Sequence, residues 1–494
     1  MEAAKKPAQG QQWMGHPRGL ATLFFTEMWE RFSYYGMRGI LILFMTAAAT
    51  TGGLGFSAEK AGAIYGLYTM CVYAVALPGG WIADRILGQR RAIFIGGCVI
   101  ALGNFTLAIP NLLAFYLGLA LIVIGTGLLK PNVSAIVGGL YPEGGARRDA
   151  GFSIFYMGIN IGAFIAPLIC GWLGEKINWH YGFIAAGAGM VLGLVQYKLG
   201  YKHLLDVGLP PHQAPEKAAQ ARKGLLTGIV IIAALVFALV LARHNFEVAD
   251  LARVIGFSLV GLVVLYFLYV LALGKLESHE KKRVVVIFCL FIGAMLFWSG
   301  FEQAATSMNL FAERLTNRVV AGWEAPASYL QSVNPLFIIS LAPIFAIIWV
   351  KLASTNREPS IPVKFGLGLA LLGVGFLVMA FGSRFVNAEG PGVTPMWLIL
   401  TYFIHTLGEL CLSPVGLSSV TKLSPKPLVG QMMGIWFMGS ALGNLFAGLV
   451  GGEFEPTPDL LTGLFMKVAI AVLAVGALFL VFSKPVKNMI GGKI

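Results

Sequence analysis

Charge is what this sequence has least of. Only 12% of its 494 residues are Asp, Glu, Lys or Arg, about half the roughly 25% of a soluble globular domain. Cysteine is scarce too. The five cysteines (Cys71, Cys98, Cys170, Cys289 and Cys411) lie in apolar stretches with no CxxC pair, which argues against a disulfide framework or a thiolate metal site. The first twenty residues have no apolar core of the kind a cleavable signal peptide needs, so none is expected. There is no GxSxG, no HExxH, and no Ser, His and Asp set that could share one membrane depth, so enzymatic chemistry is not expected. What fills the chain is 57% hydrophobic, with 62 glycines and a mean hydropathy of +0.77. Small residues let helices approach closely in lipid, and the composition reads as a polytopic, all-α membrane protein. The net charge of +13 could suggest nucleic acid. The basic residues fall in short loops between apolar runs, however, where membrane topology explains them and no nucleic-acid partner is needed.

A spanning helix needs about 20 apolar residues. By that measure six spans lie near 20–46, 61–83, 92–110, 112–138, 150–172 and 180–198. A polar loop follows at 201–223, then a pair within 224–275 (near 224–242 and 252–274). Six more lie within 284–484, near 284–312, 327–350, 362–382, 395–420, 430–451 and 460–483. The expected organisation is a tail at 1–19, a six-helix bundle at 20–200, an inserted helix pair and a second six-helix bundle, fourteen spans in all. With the amino terminus placed inside, 25 of the 36 lysines and arginines fall on the inner side and seven on the outer. That asymmetry supports both termini inside and the fourteen-span count, and a multi-pass protein of the cytoplasmic membrane is expected. The inserted pair has no ionisable residue in its interior, so a structural or lipid-facing role is expected of it.

Four charges sit where the first span should be purely apolar, in EMWERFSYYGMR at 27–38. Each costs at least about 2.5–3.5 kcal/mol at mid-membrane, so each implies a use. On a helix Glu27, Glu30, Arg31, Tyr34 and Arg38 share an arc of about 100°, with Tyr35 beside it. Such a stripe lines a cavity, and Glu27 and Arg31 are spaced for an i,i+4 pair. Lys130, Glu302 and Glu409 lie deep in other spans, as do Asn160 and Asn334. The deep charges are Arg31, Arg38 and Lys130 against Glu27, Glu30, Glu302 and Glu409. A dry cavity disfavours the imbalance, so one carboxylate is expected to hold a proton and to be a natural site of proton coupling.

The loop GGWIADRILGQRR at 79–91 resembles the motif of the major facilitator superfamily, with one extra residue, Gln89, before its arginine pair. Transporters with this six-plus-six pattern bind substrate near the midplane. ExxERFxYYG (Glu27, Glu30, Arg31, Phe32, Tyr34, Tyr35, Gly36) and FYMGINIGA at 155–163 resemble the two signatures of the proton-dependent oligopeptide transporter (POT) family, and the resemblance covers essentially the whole chain. It implies a proton-coupled symporter that imports di- and tripeptides by alternating access, driven by the proton gradient without a cofactor and working as a monomer. It also implies residue roles. Arg38 and Lys130 would receive the peptide carboxylate, and Glu302 with Asn160 and Asn334 the amino group. Tyr34, Tyr35, Tyr73, Trp298, Ser413 and Trp436 would line the pocket. Arg38–Glu302 and Lys130–Glu409 would be gate salt bridges, and Glu27, Glu30, Arg31, Lys130 and Glu409 would carry proton coupling. The functional histidine that mammalian relatives carry on the second helix has no counterpart here, which leaves coupling to the carboxylates. His405 fits packing at least as well as a proton role.

A zwitterionic peptide needs a cation and an anion roughly 6–11 Å apart, at ~3.3–3.6 Å per extended residue. An alternative on the same fold is a carrier of nitrate or another small anion, although Glu302 would then lack an obvious use. A multidrug antiporter fits three buried cations poorly. A channel is disfavoured because gate ion pairs would obstruct a continuous pore.

Overall fold

A backbone in lipid must satisfy its own N–H and C=O groups, and the apolar runs do so as helices. The computed structural model describes residues 12–210, 215–242, 246–387, 390 and 392–491. In chain order the long helices are α1 (Arg18–Thr46), α2 (Ala58–Leu87), α3 (Gln89–Leu107), α4 (Leu112–Gly139), α5 (Gly145–Ile177), α6 (Trp179–Leu204) and α7 (Pro215–Ala242). They continue with α8 (Val248–Leu273), α9 (Ser278–Leu315), α10 (Ala327–Ser354), α11 (Ile361–Ser383), α12 (Met396–Leu423), α13 (Lys426–Gly451) and α14 (Pro458–Val481). Among the described residues, eleven of these are long and apolar enough to cross a membrane. The other three are α1, which carries the charged stripe, and α7 and α12, each 28 residues long. The helical architecture expected from the apolar runs is therefore present.

Several helices outlast their apolar runs. Wide π-turns at Ala83–Leu87 and Leu173–Ile177 carry α2 and α5 into polar sequence. A 3-10 turn at Glu302–Ala305 interrupts α9 at the glutamate singled out above. Pro131, directly after Lys130, sits inside α4, where it removes one ladder hydrogen bond. Two pairs of two-residue strands were not legible as apolar runs: β1 (Gln12–Trp13) with β2 (His16–Pro17), and β3 (Val319–Val320) with β4 (Trp323–Glu324). The first hairpin is tied down by His16, whose Nδ1 lies 2.9 Å from the Tyr141 hydroxyl.

The described residues pack as two compact units, one drawn from 12–37 and 75–242, the other from 38–74 and 246–491. Helix α1 contributes to both. In the first unit Leu20, Leu23, Ile93, Ile136, Val137 and Tyr197 belong to one buried apolar cluster. In the second, Ala249 and Ala252 of α8 dock against Ala63 of α2 and Ala441 and Leu445 of α13. The rest of α8 leaves Val254, Phe257, Leu262, Leu265 and Leu268 exposed, a surface suited to lipid.

Candidate functional site

In the first unit, the site is built on one and a half turns of α1. Glu27, Glu30 and Arg31 are all buried. Arg31 grips Glu30 as a fork: its Nη2 donates to Glu30 Oε1 at 2.6 Å and its Nε to Oε2. Glu27 meets the same guanidinium only through Oε1, 3.3 Å from Nε. The i,i+4 spacing thus supplies the weaker of the two links, while the stronger joins sequence neighbours. Neighbours on a helix point about 100° apart, and these two meet only because both side chains are long enough to bend together. The second oxygen of Glu27, Oε2, is buried with no hydrogen-bond partner among the described residues. Lys130 lies near enough to act on Glu27 electrostatically. The Arg31 guanidinium also covers the Tyr34 ring at 5.0 Å and the Tyr35 ring at 5.9 Å, and those rings meet edge to face.

Two glycines explain why α1 can lie so close to α5. A Cβ on Gly36 would come within 2.5 Å of Cys170 Sγ, and one on Gly162 within 2.2 Å of the Met28 carbonyl. The final glycine of the ExxERFxYYG stretch is thus a packing residue. Asn160, in the FYMGINIGA stretch, is buried and donates to the Tyr156 carbonyl of its own helix at 3.0 Å.

In the second unit, Arg38 and Glu302 form a buried charge-assisted hydrogen bond. Arg38 Nε also donates to the Tyr65 hydroxyl at 2.5 Å. Next to Arg38, the Gly39 carbonyl accepts from Asn309 Nδ2 at 2.9 Å and Gln331 Nε2 at 3.2 Å. Tyr65, Asn309 and Gln331 escaped the sequence reading. A lone tyrosine or amide in a membrane helix is too common to single out, and only its aim identifies it.

Asn334 lies with Glu409, donating to its Oε2 at 3.4 Å and to Thr406 Oγ1 at 2.9 Å. Trp298 stands edge-on to Phe297 and Phe301, with centroids 5.5 Å away in each case, and Trp436 stands edge-on to Phe365 at 6.3 Å. Tyr73 packs beside the α2–α8–α13 cluster. The Ser413 side chain lies outside the described residues. His405 is buried, with Nε2 3.1 Å from the Leu372 carbonyl and its ring 4.9 Å from that of Phe376, which is a packing environment. Lys467 of α14 keeps its side chain exposed and reaches Glu453 at 3.4 Å.

Buried ion pairs of this kind on many apolar helices define a membrane transporter rather than a structural bundle. The POT family pattern matches residues 90–457, and the chain belongs to that family. A peptide transporter of Yersinia enterocolitica, YePEPT, is 41% identical over 99% of this chain and 98% of its own. A di-/tripeptide transporter of Lactococcus lactis is 39% identical over 97% of both chains. Among solved structures, a peptide transporter POT in complex with sulfate superimposes with a TM-score of 0.90 at 42% identity, covering 98% of this chain and 97% of the other. A POT family transporter in complex with 5-aminolevulinic acid gives 0.87 at 36% identity, covering 96% and 98%.

Proposed function

We propose that this chain is a proton-coupled symporter that imports di- and tripeptides by alternating access. The observation that carries the reading is the pairing of Arg38 with Glu302, a buried cation and anion in direct contact, which part to the roughly 6–11 Å a zwitterion spans when its two ends engage them. The peptide carboxylate goes to Arg38 and Lys130. The amino group goes to Glu302, helped by Asn160 and Asn334. Relatives named as di-/tripeptide transporters support the substrate class. So does a family structure holding 5-aminolevulinic acid, a molecule with an amine at one end and a carboxylate at the other.

Proton coupling rests on the α1 cluster. Glu30 is committed to Arg31 through both oxygens, whereas Glu27 has one buried oxygen without a donor among the described residues. A buried carboxylate oxygen lacking a donor is costly, and protonation relieves it. Glu27 is therefore the carboxylate that takes the proton, with Lys130 and Glu409 sharing its redistribution. Tyr34, Tyr35, Tyr73, Trp298, Trp436 and Ser413 shape the pocket. Energy comes from the proton gradient, with no bound cofactor and no covalent chemistry. The protein works as a monomer in the cytoplasmic membrane, with both termini inside.

Uptake of labelled dialanine into proteoliposomes tests this. Accumulation is expected under an imposed inward pH gradient and is expected to collapse with a protonophore. Unlabelled trialanine should compete and nitrate should not. Competition by nitrate with none by trialanine would replace this reading with the small-anion carrier.

A further inference from the structure

The arginine pair of the 79–91 loop lies apart from the peptide and proton residues described above. The turn between α2 and α3 folds back on the end of α6. Gly88 adopts φ +76°, and a Cβ there would meet the Pro210 nitrogen at 2.6 Å, so the two chain segments touch through backbone. Arg90, the first of the pair, is buried and locked. Its Nε donates to the Val207 carbonyl at 2.6 Å, its Nη2 to the Leu204 carbonyl at 2.9 Å and to that of Leu205. Its backbone N–H bonds the Gly208 carbonyl at 3.0 Å. Arg90 so held lines a pocket of about 350 Å³ in the first unit.

Three cations, Arg90, Arg91 and Lys198, line this pocket together with the rings of Phe94 and Tyr201. The guanidinium of Arg90 lies 5.2 Å from the Tyr201 centroid, and Lys198 Nζ lies 5.1 Å from Tyr201 and 5.3 Å from Phe94. Among the described residues lining the pocket there is no carboxylate. Arg91 and Lys198 are exposed, so their charges are available to a ligand. The helices that lead away from the pocket carry exposed apolar rows, Ile95 and Leu102 on α3 and Leu192, Val195 and Leu199 on α6. Such rows at helical spacing belong against acyl chains.

We propose that this pocket is a binding site for an anionic phospholipid, with the phosphate between Arg91 and Lys198 and the acyl chains along the α3 and α6 rows. Arg90 and Tyr201 are the fixed floor. A net negative headgroup relieves the repulsion among three clustered cations. A zwitterionic headgroup would bring its own ammonium toward Arg91 and Lys198 and lose much of that gain. Free phosphate has the charge but makes no use of the apolar rows.

The test is native mass spectrometry of the full-length protein in detergent with equimolar phosphatidylglycerol and phosphatidylethanolamine. The wild type is expected to retain phosphatidylglycerol about tenfold or more over phosphatidylethanolamine, from two available cations at about fivefold each. R91Q and K198Q should each lose part of that preference, and R91Q/K198Q all of it. R91K/K198R should keep it, which separates charge from folding. Inorganic phosphate and glycerol 3-phosphate, supplied as competitors, should leave the lipid adduct in place. Unchanged preference in R91Q/K198Q would overturn the site. Displacement by inorganic phosphate at the lipid's own concentration would overturn the lipid as its ligand. Neither result touches the reading of Arg38 and Glu302, because peptide uptake is measured separately.

Discussion

Dialanine uptake is expected to fall about a hundredfold or more when Glu302 is replaced by Ala, and as far when Arg38 is. The partner left behind is buried and charged, and stranding such a group costs about 3–5 kcal/mol. Binding falls for a separate reason: each variant removes one charged pole for the peptide, and about 3 kcal/mol of lost binding is about two powers of ten. Tyr65 does not rescue Arg38, since a phenol hydroxyl offers an acceptor without the countercharge. The informative comparison is the double replacement R38A/E302A, which strands no charge. Its thermal stability should recover toward wild type, while uptake stays lost because both poles for the peptide are gone. Measuring melting temperature and uptake on all three proteins separates the roles. If R38A/E302A transported dialanine at the wild-type rate, the pair would be structural only and the proposed substrate poles would be wrong.

The second large effect separates two glutamates three residues apart. E27Q is expected to abolish accumulation driven by a pH gradient while leaving peptide exchange across equilibrated membranes intact. The amide keeps the contact of Glu27 Oε1 with Arg31 but cannot exchange a proton. E30Q should lose both activities, because it removes the fork that holds Arg31 and so frees a buried guanidinium. Counterflow of labelled dialanine and gradient-driven uptake, measured side by side, give the contrast. Concentrative uptake by E27Q would sink the assignment of the proton to Glu27, whatever E30Q does.

How much of this could be read beforehand differs by residue. The helices were legible because lipid imposes one length and one composition on every span, and because an ion at mid-membrane stands out against apolar neighbours. That contrast exposed Glu27, Glu30, Arg31, Arg38, Lys130, Glu302 and Glu409. It could not rank the partners of Arg31. Helical spacing favours Glu27, yet the bond goes chiefly to Glu30, because both side chains are long enough to bend together despite the difference in position. Neutral groups had no such contrast. Tyr65, Asn309 and Gln331 look like ordinary membrane-helix residues until their donors and acceptors are traced. The short hairpins at 12–17 and 319–324 were illegible for a related reason: two-residue strands are too brief for any alternation to register.

The Gly39 carbonyl has a consequence outside energetics. As part of α1, that oxygen accepts from the amide four residues on, and Asn309 and Gln331 add two more donors. Three donors on one oxygen weaken its C=O bond, so its stretching vibration falls below that of the other amides in α1. A carbon-13, oxygen-18 label at Gly39 would give this single peptide its own infrared band. The band would shift upward whenever the two side-chain amides let go, and so report, without any probe attached to the protein, when the helix beside Arg38 is held and when it is released.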